Sequence, residues 1–443
     1  MVRSRFVVRL LSFAPMKRLV LPLLLAAAPL FAQQTLDQMI DAEMSSLLAT
    51  YKQLHAAPEL SMQEAKTSAF VAAQLRSLGY TVAEKVGKYD EPNATCYGVV
   101  AVMKNGAGPT VLVRSDMDAL PVTEQTGLAY ASQTAGVMHA CGHDIHITTL
   151  LGTAKMLSQL KSKWHGTVML VGQPAEEVVK GAEGMLRDDL YARFGTPNFA
   201  IAVHDHAGLP AGVIGYFPGY FMASADSVNV TIRGLGGHGA APQSTKDPVV
   251  MAAQFINALQ TIVSREDSPL DPAVVTVGAI HGGTKRNVIP DEVQLLMTVR
   301  TYKPEVRQRV LASIERIAKG VAIAAGVPEN RMPTIEVLKG ESVDATYNDP
   351  ALTERLAKAL TAGMGEKSVR KIDPLMVSED FGLFGLGGKI PTTMLNVGAV
   401  DPVRIASGER LPSLHSSRFA PVPEPTLHGS VKAMTLAVME LLR

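Results

Sequence analysis

Three short apolar runs, each leading into residues that can hold a cation or carry a proton, constrain this chain most. Thr110–Arg114 runs into Ser115-Asp116-Met117-Asp118, Thr167–Val171 into Gly172-Gln173-Pro174 and then Glu176-Glu177, and Phe199–Val203 into His204. Apolar runs of this length bounded by turn residues read as buried strands. Helical spacing recurs around them over Leu36–Leu54, over Lys66–Leu78 with Gly79 as a stop, and over Ile145–Leu160. Further strands are expected at Val99–Met103 and Thr393–Val397, and further helices at Pro350–Met364 and His428–Leu442. This alternation predicts an α/β layer fold with a largely parallel sheet in its strand pattern. Sites in such sheets form beyond the carboxyl ends of the strands, so residues far apart in sequence can converge there.

The middle of the chain has a different rhythm. Ser227–Ile232 alternates like a half-exposed strand, Pro248–Val263 reads as a helix, Ala273–Ile280 and Val293–Val299 as strands, Pro304–Ala325 as a helix and Thr334–Val337 as a strand. The order β-α-β-β-α-β is the ferredoxin-like signature. It predicts an inserted α+β domain over 224–337, between the parts 33–223 and 338–443 of a catalytic domain.

Composition removes several function classes. A chain of 443 residues with 47% apolar and 19% charged residues can bury a core and is not disordered. Its formal net charge of +1 gives no electrostatic case for a nucleic-acid partner. Two cysteines exclude a disulfide-stapled scaffold. Residues 1–32 read as a signal peptide: Met16-Lys17-Arg18 is cationic, Leu19–Phe31 is apolar, and Ala32 precedes Gln33-Gln34. The apolar run is shorter than the ~20 residues of a spanning helix, although an uncleaved anchor is the alternative. Translation can begin at Met1 or at Met16. An exported protein, periplasmic or secreted, is expected, with no stable membrane span after cleavage.

The chemistry-bearing residues are Asp116, Asp118, Cys141, His143, Asp144, His146, Glu176, Glu177, His204 and His415. A thiolate, imidazoles and a carboxylate suit a borderline divalent metal such as zinc, whereas calcium asks for oxygen alone. Adjacent glutamates permit a division of labour in which one coordinates and the other moves a proton. That same environment argues for Cys141 as a ligand and against a pairing with Cys96. His139, His146 and His206 remain open between supporting and structural roles.

Arg114-Ser115-Asp116-Met117-Asp118-Ala119-Leu120-Pro121 resembles a signature of the M20 metallopeptidase family, aminoacylase and carboxypeptidase branch. Met138–His146, Gln173–Glu177, Gly234–Pro242 and Ser378–Phe381 resemble the amidohydrolase subgroup of hippurate hydrolases, N-acyl-amino-acid amidohydrolases and auxin-conjugate hydrolases. The resemblance implies a zinc-exopeptidase-like mixed sheet with flanking helices plus a ferredoxin-like lid of the dimerisation type. It implies two divalent ions per subunit (zinc, manganese or cobalt) on Cys141, His143, Glu177, His204 and His415, with Cys141 as bridge. Glu176 is then the general base, Asp116 an acid orienting a ligand, His238 a catalytic and substrate-binding residue, and Asn287 a substrate contact. The implied activity is hydrolysis of the amide of N-acyl or N-aroyl amino acids by metal-activated water. An exported dipeptidase or carboxypeptidase is the alternative; a catalytically silent binding protein would have lost the base or a ligand, and neither is missing. A homodimer or homo-oligomer through the lid's strand edge is implied by the same resemblance. The chain departs from the subgroup after its glutamate pair, where Val178-Val179-Lys180 replaces a glycine-rich run, after His204, where Asp205-His206 stands, and after His415, where Ser416-Ser417 lacks a proline. Those differences lie on the rim and bear on substrate preference.

Overall fold

The structure, a computed structural model, describes residues 1–12 and 34–443. Residues 1–12 take no helix or strand, and most of the expected signal peptide lies outside the described residues. The fold is that of Leu36–Arg443. Among the described residues no helix is long and apolar enough to cross a membrane.

Eight strands form one sheet in the order Thr81–Glu84, Val99–Asn105, Gly166–Gln173, Thr110–Asp116, Phe199–Pro210, Thr392–Val400, Ile214–Tyr216 and Val369–Lys371. The four central strands, from Gly166–Gln173 to Thr392–Val400, run parallel. Both of their faces are covered, which is why they read as continuous apolar runs. Val111, Val113, Leu170, Ile201 and Val203 pack on one side with Ile147, Leu150, Met434 and Val438 of the helices His143–Gln159 and Pro423–Leu441. Leu112, Met169, Val171, Ala200 and Ala202 face the other side, toward Met185, Phe381 and Phe384. The sheet as a whole is mixed, as the family resemblance implied, with the parallel strands at its centre. Thr81–Glu84 pairs antiparallel with Val99–Asn105, that strand antiparallel with Gly166–Gln173, and Ile214–Tyr216 antiparallel with Thr392–Val400. Antiparallel neighbours need no helical crossover, which parallel ones do.

Two boundaries matter for the site. The helix expected from Ile145 begins at His143. The strand expected to end before His204 continues to Pro210, because Thr392–Val400 pairs alongside it through Asn396–His204 and Gly398–His206. His204 thus sits inside a strand rather than at its tip.

A second, antiparallel sheet has the order Ala273–His281, Glu292–Thr301, Asp226–Arg233 and Thr334–Val337, the ferredoxin-like arrangement expected. Its inner face carries Val228, Val230, Ile232, Val293, Leu295 and Val299 against Phe255 and Leu259 of Pro248–Thr261 and Val310 and Ile314 of Pro304–Ala324. The alternation of buried and more exposed positions along Asp226–Arg233 follows directly from the two-residue period of a strand covered on one face. Asp247 caps the first of these helices by accepting from Val249 N at 2.8 Å, with Pro248 in the first helical position. A separate two-stranded ladder joins Gly237–His238 to Val288–Ile289 in antiparallel pairing, although about fifty residues of chain lie between them.

Phe255 is fully buried in the lobe's own core, while Val263 is 41% exposed. Phe255→Ala should cost about 3–5 kcal/mol in urea unfolding. Val263→Ala should stay within about 0.5 kcal/mol.

Candidate metal centre

The parallel strands and the loops between them deliver donors to one spot. Asp116 ends a central strand, Cys141 lies just before the helix His143–Gln159, and Glu176 and Glu177 occupy the turn after Gly166–Gln173. Gly142 joins Cys141 to His143 at φ +84°, and a Cβ there would lie 2.4 Å from Asp205 Oδ2, so both conformation and space require glycine. His415 is held at φ +64° with its amide donating to Ala140 O at 2.8 Å.

Cys141 Sγ lies 3.5 Å from His204 Nε2 and 3.3 Å from His415 Nε2. His415 Nε2 is 3.5 Å from Glu177 Oε2, and His143 Nε2 is 3.7 Å from Glu177 Oε1. The tautomers follow from the second ring nitrogens. His143 Nδ1 donates to the Asp118 carbonyl and His204 Nδ1 to the Asp205 carbonyl, each at 2.8 Å. Their Nε2 atoms therefore face the cluster, the edge that metal-ligating histidines present. Among the described residues His143 Nε2 and Glu177 Oε1 are buried without hydrogen-bond partners, a costly state that a cation between them would remedy. The soft thiolate with imidazoles and carboxylate fits zinc or a similar ion. All five expected ligands converge, with His415 at the exposed mouth.

Asp116 lies behind them. Its Oδ1 accepts from His146 Nδ1 at 2.7 Å, its Oδ2 accepts from Arg114 Nη1 at 2.6 Å, and that same Oδ2 is 3.8 Å from His143 Nε2. His146 Nε2 in turn accepts the Asp205 amide at 2.8 Å. Both nitrogens of His146 are thereby used, so it braces Asp116 against the His204 strand and does not offer a donor to a metal. Asp118 holds the glutamate turn: its carboxylate accepts from Glu176 N at 3.1 Å, Glu177 N at 3.0 Å and Ser61 Oγ at 2.6 Å. Glu64, fully buried, accepts from Ala175 N at 2.8 Å, one residue before the pair.

The sequence reading missed Arg114, Glu379 and Asp380 as a unit. Arg114 is buried and donates to Glu379 Oε1 at 2.7 Å, Asp380 Oδ1 at 3.2 Å and Gln173 Oε1 at 2.8 Å besides Asp116. The signal was present in the quoted Ser378–Phe381, but pairing across 265 residues is invisible to spacing. The pocket is strongly anionic. Burial, then Glu379 and Glu177, push the Glu176 carboxyl well above its usual range. Burial pulls His143 down, but Asp116, Asp118 and Glu177 outweigh it and push it up to about 10. Such a pocket favours positive charge, and a divalent ion would supply it.

A cavity of about 1180 Å³ opens over the cluster, lined by Cys141, Glu176, Glu177, His204 and His415 below and by Thr298, Arg300 and Leu338 of the second lobe above. His238 and Asn287, expected at the site, are not brought to it. Both are exposed at the small ladder of Gly237–His238 and Val288–Ile289, where Gly239 N donates to Asn287 O, and neither lines the cavity.

The model of peptidase family M20/M25/M40 matches residues 112–438. The chain belongs to this family. It is 38% identical over 337 residues to hippurate hydrolase of Campylobacter jejuni, covering 75% of this chain and 83% of that protein. It is 34% identical over 390 residues to thermostable carboxypeptidase 1 of Saccharolobus solfataricus, covering 87% and 93%. A dinuclear metal-binding peptidase of the M20 family from Bacillus subtilis superposes with TM-score 0.74 at 30% identity, covering 90% of this chain and 99% of that one. This M20 member is thus an enzyme, a metal-dependent hydrolase of amide bonds.

Behind the centre, His55 is fully buried, with Nδ1 2.6 Å from Asp144 Oδ2 and Nε2 3.2 Å from Glu124 Oε1. A carboxylate on each nitrogen makes it an imidazolium. Burial pulls its pKa down, and Asp144 and Glu124 outweigh that and push it up to about 9. The unfolded value is ~6.5. The native state therefore binds the extra proton: its stabilisation is complete below the unfolded pKa and disappears as pH rises through the folded one. Unfolding free energy should fall by roughly 3 kcal/mol on this account between about pH 6.5 and 9. His55→Gln should lessen the slope in that window in urea titrations, with His143 still contributing to it, and an unchanged slope would contradict the assignment.

Proposed function

We propose that this M20 enzyme hydrolyses the amide of N-acyl or N-aroyl amino acids, with Cys141, His143, Glu177, His204 and His415 holding two divalent ions and Glu176 as general base. The observation that carries the reading is the position of Cys141 Sγ, 3.5 Å from His204 Nε2 and 3.3 Å from His415 Nε2, with a carboxylate pair beside it. Divalent ions in such a site lower the pKa of a coordinated water and polarise a carbonyl. Glu176, 3.9 Å from His143 Nε2 and part of a carboxylate group with Glu379 and Asp380, takes a proton from the attacking water at its carboxylate and returns it to the leaving nitrogen. No covalent acyl-enzyme is involved.

Arg300 supports an amino-acid substrate. It faces the cavity from the second lobe, Nη1 donates to Ser378 Oγ at 3.0 Å, and it has no carboxylate partner among the described residues. A substrate carboxylate would complete it. His238 and Asn287 enter this reading as residues that movement of the lid would deliver to the developing oxyanion and the substrate. Export, read from the signal-like residues 1–32, belongs to the same proposal, with a small-molecule or short-peptide substrate met outside the cytoplasm. The relative from Saccharolobus solfataricus named as a carboxypeptidase keeps a peptide substrate as the second reading.

Glu176→Gln should lower kcat by about 10²–10⁴-fold while metal content, measured by elemental analysis, stays at two ions per subunit. Full activity in that variant would remove the base assignment. Chelation should abolish hydrolysis, and zinc, manganese or cobalt should restore it. A panel of acyl-amino acids against dipeptides separates the two substrate readings.

A further inference from the structure

We propose that Val179, with Val178, forms a specificity-determining wall that selects substrates carrying a bulky apolar group next to the scissile amide. This rests on the hydrolytic reading above.

The turn that carries the two glutamates is closed at its end by Lys180 N donating to Ala175 O at 3.1 Å and Val179 N to Glu176 O at 2.7 Å. This is the Schellman pattern, and it places Val179 at the position where a left-handed residue, usually glycine, is required. Val179 sits there at φ +58°. A β-branched residue in that region is an outlier, since its Cβ crowds the following carbonyl. Strained residues of this kind persist where their surroundings hold them, and they cluster where they serve a site.

The side chain belongs to none of the buried apolar clusters among the described residues. It is only partly buried, and it borders the catalytic cavity together with Val178, which is 40% exposed. Val377, 48% exposed, Leu375, Leu338 and Leu414 border the same space. Exposed apolar groups gathered in a cavity next to the chemistry mark a surface meant to be covered by ligand. Lys180, the next residue, also borders the cavity, and its ammonium pairs with Glu91. A glycine at 179 would remove the strain and that residue's share of the wall. The apolar group that covers the wall can be the acyl chain or the amino-acid side chain, and the test distinguishes them.

The experiment uses the metal-reconstituted full enzyme and the variants Val179→Gly and Val179→Ala. One arm varies the acyl group on glycine, from acetyl to hexanoyl and benzoyl; the other varies the side chain of N-acetyl amino acids, from glycine to leucine. In Val179→Gly the ratio of kcat/KM for the bulky over the small substrate should fall about tenfold or more in one arm, and that arm identifies the group. The same variant should unfold at a temperature equal to or above that of the parent, which separates lost selectivity from lost folding. Val179→Ala keeps the left-handed strain and should show a smaller fall. Ratios within twofold of the parent in both arms overturn the proposal. A parent inactive on the whole panel brings down the functional reading and this proposal with it, an outcome distinct from an active enzyme whose ratios do not move.

Discussion

The centre depends on one guanidinium. Arg114 lies beneath the pocket with its side chain 1% exposed and contacts Asp116, Glu379 and Asp380 at once. Burying several carboxylates together is unfavourable unless each finds a positive or hydrogen-bonding partner. Arg114 meets this need with a planar fork that lysine could not reproduce. It comes from a central strand, Asp116 from the end of the same strand, and Glu379 and Asp380 from the far part of the chain. The contact therefore ties the resumed α/β segment to the first one at the point where the chemistry occurs. The residual negative charge is what the ligand atoms present to a cation.

Above this floor the protein fixes its donors through backbone rather than through flexible side chains. Asp118 and Glu64 accept the amides of Ala175, Glu176 and Glu177, so carboxylates orient the peptide that carries other carboxylates. The two imidazoles that face Cys141 or Glu177 from below are aimed by carbonyls, at His143 and His204. Donors pre-aligned this way would lose little freedom on taking up a metal ion, and the same backbone contacts hold Glu176 beside them.

Much of this was legible in the residues. The apolar runs at Thr110, Thr167 and Phe199 are buried on both sides, so their strands show without ambiguity, and the one-sided alternation of Ser227–Ile232 separated the inserted lobe. Cys141, His143, Glu177, His204 and His415 were recognisable by donor chemistry and by resemblance to a family. What escaped was long-range or set by pairing partners. The short strands Ile214–Tyr216 and Val369–Lys371 have too few residues to show a period, and they exist because neighbouring strands complete their hydrogen bonds. The extension of the third run to Pro210 is imposed by Thr392–Val400, almost two hundred positions away. His238 and Asn287 resemble site residues by motif, yet their placement depends on where the lobe stands, which no local pattern encodes.

The position of His204 inside a paired strand has a thermodynamic corollary. Side chains alternate across a strand, so a slip of one residue against Thr392–Val400 would turn this imidazole to the opposite face and away from Cys141. A cation that binds only the correct alignment penalises every slipped one through linkage. Metal uptake and sheet register would then be two readings of a single equilibrium, and an ion held by His204 would proofread the fold.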